Sequence, residues 1–224
     1  MKPRARRVQR VAPSKLEHIL RHAALVFAEK GYEGASIRDI SRSSGISLAG
    51  LYYYVESKQK ILYLIQTYTF NAVLNRIEKR LETVSDPAER LRILVLNHLD
   101  YFLRHPLEMK VLSHEDDTLS GEYRKEVEEI KRRYYRAALD IFEDLRRTGK
   151  ARRVNPRVAV LALFGMMNWI PTWHRPQKDP QAEALAEAMS GLFLHGVMNG
   201  NGAGGARSTR LRRDLPAISA RAAG

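Results

Sequence analysis

The chain has 224 residues, of which 44% are hydrophobic and 28% charged, with a net charge of +13 and no cysteine. That length supports a sizeable core and one or two domains, and the missing cysteine excludes disulfides and thiolate metal or redox sites. No apolar run approaches the roughly 20 residues of a membrane span, and no apolar stretch follows the basic N-terminus as in a secretory signal, so the expectation is a soluble cytoplasmic protein with no membrane partner.

The charge is unevenly placed. Residues 1–13 hold Lys2, Arg4, Arg6, Arg7 and Arg10 with no acid. Residues 201–224 hold five arginines against Asp214 and are rich in glycine. Such tails have the form of nucleic-acid-binding arms. The second also has the composition of a disordered segment.

In chain order, the first helix is predicted to open at Ser14, with Glu17 completing a capping box. Leu16, Ile19, Leu20, Ala23, Val26 and Phe27 form one apolar face, and Gly31 ends the helix. His18 and His22 lie one turn apart, but no third ligand is near in sequence, so a metal pair is not expected. Ser36 and Asp39 form the start of a second short helix, with Ile37 and Ile40 as its buried side. Gly45 supplies a left-handed turn, and Ser47 caps a third helix over residues 48–54. Two helices about a glycine-bearing turn are the sequence form of a helix-turn-helix. Such a unit places the N-terminal part of its second helix in the DNA major groove.

On that reading Ser47, Leu48, Ala49 and Gly50 face the groove floor, and Leu48 can meet a thymine methyl. Arg38 is a candidate phosphate or base contact. The second helix lacks Arg, Asn and Gln, the usual bidentate base readers, so arm arginines and DNA shape are expected to share the specificity.

A long helix is predicted over residues 57–84. Its Ser57 cap and Lys58 stand at a helix N-terminus, which favours a phosphate. Asp86-Pro87, Asn155-Pro156 and Asp179-Pro180 each pair a capping side chain with proline at the first helical position. The helices after them are expected over about 87–103, 156–173 and 180–199. A short helix over 107–113 and a long one over 120–148 complete an all-α chain of about nine helices. The division expected is a basic arm (1–13), a three-helix DNA-binding domain (14–60), a helical bundle for ligand and dimerisation (61–200) and a basic tail (201–224). Leu185, Ala188, Met189, Leu192, Phe193 and Gly196 form a candidate dimer face.

The middle helices are rich in aromatic residues and methionine, which suits an apolar cavity between helices. Phe102, Met109, Tyr134, Met166, Trp169 and Trp173 are its candidate lining, with Arg175 for an anionic end of the ligand. The sequence has no G-x-S-x-G, no cysteine nucleophile and no H-E-x-x-H, so neither an enzyme nor a resident cofactor or metal is expected. The cluster His114-Glu115-Asp116-Asp117 reads as solvated charge in a linking loop.

These residues carry a family resemblance. The run IRDISRSSGISLAGLYYYVESK, residues 37–58, closely resembles the operator-binding helix-turn-helix of TetR-type transcriptional repressors, and the likeness extends over roughly 14–65. It implies that Tyr52, Tyr53 and Lys58 contact the DNA backbone and nearby bases; Tyr54 is not counted among the contacts. It also implies a homodimer formed by the last two helices and double-stranded operator DNA as partner. Two further segments, FGMMNWIPTWHRP (164–176) and LSHEDDTLSGEYRKEV (112–127), resemble the C-terminal domain of TetR-type repressors of fatty-acid and steroid degradation. Those respond to acyl-coenzyme A (acyl-CoA) thioesters, which implies a small apolar or acyl-CoA effector here. Two alternatives stay open: a drug-responsive repressor of an efflux pump, with Glu108, Glu115 or Asp140 meeting a cation, and a ligand-free architectural DNA-binding protein.

Overall fold

The computed structural model describes residues 14–114, 118–149, 151–152 and 154–198. The basic arm, the glycine-rich tail and the acidic residues 115–117 lie outside the described residues. The protein is all-α. Among the described residues there are ten helical segments: α1 (Lys15–Gly34), α2 (Ile37–Ser44), α3 (Leu48–Tyr54), α4 (Lys58–Leu81), α5 (Pro87–Arg104), α6 (Pro106–His114), α7 (Gly121–Arg147), α8 (Pro156–Asn168), α9 (Ile170–Trp173) and α10 (Ala182–Val197). None is long and apolar enough to cross a membrane.

Local hydrogen bonds set most of these boundaries. Ser14 and Glu17 form a reciprocal capping box at α1, and Ser36 and Asp39 form one at α2. Ser47, Ser57, Asp86 and Asn155 each accept a backbone N–H at the start of their helices. Gly31 breaks α1 at φ 70°, and Gly45 ends α2 at φ 69°, both in the left-handed region that glycine enters at little cost.

Two expected helices differ. The helix predicted over 156–173 divides at Trp169 into α8 and the single turn α9, which accounts for ten segments rather than nine. Pro171 has no N–H to continue the ladder and disfavours helical geometry at the preceding residue. Asp179 does not cap α10. Its carboxylate accepts the Arg175 N–H at 2.5 Å, closing the preceding turn, and α10 starts three residues later with Gln181 as its N-cap.

The N-terminal three helices pack around Ile19, Ala23, Phe27, Ile40, Leu51 and Val55, all buried. Beyond them α4 lies against α5 and α7, α10 covers α5, and α8 rests on α7. One isolated antiparallel bridge, Ala151 to Met198, ties the α7–α8 link to the end of α10. The face drawn for dimerisation splits in two. Leu185, Met189 and Phe193 are buried within the chain, whereas Ala188, Leu192 and Gly196 are exposed. The 3.6-residue period allows only one face of α10 to meet α5, and the opposite face is left outward.

Candidate functional site

The three-helix N-terminal unit, the reading head by its expected role, is built on α1, which holds the end of α2 through two histidines. His18 Nε2 lies 2.9 Å from the Ser44 carbonyl and His22 Nδ1 2.9 Å from Ser43 Oγ. The pair braces the turn. Asp39 gathers Lys30 at 2.7 Å and Arg42 at 2.5 Å. The Lys30 hydrogen bond, then those from Ser36 and its backbone, hold the Asp39 carboxyl well below the usual range. Arg38, next to it, stays exposed.

Helix α3 then presents its N-terminal turn and its tyrosines to solvent. Ser47, Leu48 and Ala49 are exposed, and Tyr52 and Tyr53 are 55% and 83% exposed. Tyr54 is also exposed and meets Tyr53 edge-on at 5.0 Å. Gly50 has a different task from its neighbours. A Cβ there meets Ile46 Cγ2 at 2.9 Å and Ser47 Oγ at 3.2 Å, so the missing side chain faces the turn and its cap and not the groove.

Lys58 departs most from its expected placement. Its ammonium donates to the carbonyls of Tyr32 at 2.8 Å and Ala35 at 3.1 Å. It also sits 4.1 Å from the centre of the Tyr32 ring. The cation is committed to the α1–α2 link, and the phosphate-favouring feature left at this point is the Ser57-capped N-terminus of α4.

A second set of contacts joins the reading head to α7. Tyr123 donates to Glu56 and Tyr63 to Glu126. Gln59 Nε2 donates to Ser120 Oγ at 2.8 Å. The Tyr63 and Tyr123 rings stack at 4.5 Å, with Lys60 over both. Two to three turns along, α7 carries Lys131, Tyr134 and Tyr135 into a large cavity.

That cavity holds about 680 Å³ and opens between α4, α5, α6, α7 and α8. Phe102, Met109, Tyr134 and Trp169 line it as the sequence suggested. Met166, Trp173 and Arg175 do not. Phe164, Gly165 and Asn168 share the cavity side of α8 with Leu161 and Trp169, and Met166 falls out of that phase. Trp173 and Arg175 lie past the break at Pro171 and are exposed. Sequence reasoning missed Phe70, His98, Leu112, Lys131 and Asn168. His98 was detectable: it continues the buried series Leu91, Leu94, Val95 on α5, so it must point inward. Among the described residues no carboxylate lines the cavity, and Lys131 is the one charged residue there. Burial lowers the Lys131 pKa. Glu108 lies instead on a smaller cavity of about 350 Å³ between α1, α4, α5 and α6, and Asp140 is exposed.

Comparison with known proteins resolves which family builds such a molecule. Residues 19–63 match the family described as bacterial regulatory proteins, tetR family, and residues 84–197 match the tetracyclin repressor-like C-terminal domain. The chain belongs to the TetR family. It is therefore a DNA-binding transcriptional repressor and not an enzyme. Among solved structures of the family, PfmR from Thermus thermophilus is 33% identical, with a TM-score of 0.72 over 79% of this chain and 97% of that one. AibR, solved in complex with isovaleryl coenzyme A and operator DNA, is 28% identical, with a TM-score of 0.73 over 80% and 97%. The repressor KstR2 of Mycolicibacterium smegmatis is 22% identical over 84% of this chain and 93% of its own.

Proposed function

We propose that this TetR-family repressor controls genes of lipid or acyl-CoA catabolism and leaves its operator when an acyl-CoA-type ligand fills the 680 Å³ cavity. The observation that carries this reading is the lining: aromatic and aliphatic on most sides, with one lysine and no carboxylate among the described residues. Such a cavity suits an apolar chain with an anionic or carbonyl-bearing end. Among the described residues an organic cation finds no countercharge there, which weighs against the efflux-pump alternative. The AibR complex, with isovaleryl coenzyme A and operator DNA, supports the same ligand class in a protein of like fold.

On the DNA side, the exposed turn Ser47–Leu48–Ala49 enters the major groove, with Tyr52, Tyr53 and Arg38 at its flanks and the α4 N-terminus toward a phosphate. Gly50 allows the turn its shape. The working unit is a homodimer joined through the outward faces of α8 and α10. There Val158, Leu161 and Leu192 are large apolar side chains open to solvent, Leu192 at 70% and Trp169 at 67%. Exposed apolar patches of this kind mark association surfaces. Ligand acts on α7 through Tyr134 and Lys131, and α7 acts on the reading head through Tyr123 with Glu56 and Ser120 with Gln59. Release requires ligand to favour the non-DNA state by a few kcal/mol.

Thermal unfolding with isovaleryl coenzyme A, a longer acyl thioester, free coenzyme A and a cationic dye tests the ligand class. A thioester at about 100 times its Kd adds roughly 2.7 kcal/mol of stability. Stabilisation by the dye alone favours the drug-responsive alternative, and stabilisation by none favours the architectural one.

A further inference from the structure

One polar feature of the large cavity is a histidine. His98 is fully buried on α5, boxed by Phe102 at 4.5 Å and by Tyr134 and Phe164, each 6.1 Å away between ring centres. Its Nδ1 lies 3.0 Å from the Tyr134 hydroxyl. Its Nε2 is buried without a hydrogen-bond partner. A side-chain hydrogen bond with Asn168 of α8 favours the charged ring, but burial outweighs it and pushes the pKa down to about 3. The ring is therefore neutral at physiological pH and carries a single proton.

The position of that proton follows from hydrogen-bond accounting. Suppose Nδ1 held it and donated to Tyr134. The buried Tyr134 hydroxyl hydrogen would then have no acceptor, and the Nε2 lone pair no donor. Suppose instead that Tyr134 donates to Nδ1. The hydroxyl and Nδ1 then satisfy each other, and a single donor, Nε2–H, is left over at the cavity. Each unsatisfied buried group carries a penalty, so the second arrangement prevails. A buried donor whose neighbouring polar group is the cavity-lining Asn168, at the wall of a largely apolar cavity, is a recognition element.

We infer that His98, fixed as its Nε2–H tautomer by Tyr134, donates a hydrogen bond to the carbonyl oxygen of the bound acyl group and so selects acyl ligands over hydrocarbon chains of the same size. This rests on the acyl-effector reading above and adds to it the atom that reads the ligand. His98 acts as a neutral donor, so the selected feature is a carbonyl and not a negative charge. Lys131, at the same cavity, is placed to serve an anionic portion of the ligand. Without ligand, Asn168 or a water molecule can occupy the position facing Nε2, and the carbonyl displaces it.

Two measurements test the inference. The first needs no ligand: nitrogen-15 NMR of histidine-labelled protein reports the tautomer. The Nε2–H form is expected, with reversal of the tautomer preference or its loss in Tyr134→Phe; an Nδ1–H form in the unaltered protein overturns the inference. The second compares isovaleryl coenzyme A with the matching thioether, which lacks the carbonyl, by calorimetric titration. The unaltered protein should prefer the thioester by roughly tenfold, the scale of one buried hydrogen bond. His98→Phe should erase that preference while still binding the thioether, and His98→Gln, which keeps a donor, should retain part of it. An equal preference in the unaltered protein and in His98→Phe overturns the inference and leaves the acyl reading intact. Failure of the unaltered protein to bind either compound overturns both. Circular dichroism of each variant separates loss of folding from loss of selection, and the tautomer measurement stands whatever the variants do.

Discussion

Replacing Lys58 by Met separates a brace from a DNA contact. The substitution keeps the length of the stem and removes the charge. Tyr32 O retains the Ala35 N–H at 3.2 Å, whereas the Ala35 carbonyl, in a residue only 4% exposed, loses its ammonium partner. A hydrogen bond from a charged donor contributes about 1.5–3 kcal/mol and the contact with the Tyr32 ring about 0.5–1 kcal/mol at a partly exposed site. Lys58 is half-buried, so about 2 kcal/mol in total is reasonable. For a chain of this length that lowers the thermal midpoint by roughly 4–8 °C. The DNA assay is fluorescence anisotropy over a salt series. A lysine on a phosphate contributes about one unit to the slope of log K against log salt, so a dimer lacking two such contacts loses about two units. The brace predicts an unchanged slope, a lower midpoint and weaker binding at every salt concentration. A slope reduced by about two with an unchanged midpoint refutes this reasoning and returns Lys58 to the DNA backbone.

Other outcomes follow from the same geometry. Gly50→Ala forces Cβ against Ile46 and Ser47 Oγ; overpacking of this kind costs about 1–3 kcal/mol, and anisotropy should show at least a tenfold loss of operator affinity. Leu192→Glu places a charge on the outward face of α10, and sedimentation at micromolar concentration should show a folded monomer. Asp100 is buried, which alone raises its pKa, but the Arg76 hydrogen bond at 2.6 Å and the charges of Arg104 and Arg76 prevail and hold it below the usual carboxylate range. Its stabilisation is therefore complete above the unfolded value of about 4 and is lost as pH falls through the lower folded value. Urea unfolding from pH 7 to pH 3 should show that loss in the unaltered protein and a smaller one in Asp100→Asn.

What could be read in advance was local. The Ser14–Glu17 and Ser36–Asp39 boxes and the glycine turns at 31 and 45 are set by residues within four positions of one another, and all stand where expected. Features built by distant residues were harder to read. The partners of Lys58 lie 23 and 26 positions earlier, and no spacing rule announces them. Aromatic density pointed to a cavity, but only helical phase decides which rings enter it. That phase admits Trp169 and turns Met166 aside, and the break at Pro171 removes Trp173. Asp179 carried a sound capping pattern and lost to a nearer donor, the Arg175 N–H. His98 is neither a hydrophobic aromatic nor an anion-binding type, the two classes that mark an acyl cavity in a sequence, although its place in the Leu91–Leu94–Val95 series marks it as buried.

The central claim is that a reader of DNA and a receptor for an acyl ligand are coupled in one chain. The direct test is anisotropy of a palindromic site enriched from random DNA by this protein, titrated with isovaleryl and longer acyl-CoA thioesters at physiological salt. The account predicts tight binding without ligand and full release by at least one thioester, with free coenzyme A inert. A complex that persists at saturating concentrations of every thioester contradicts it.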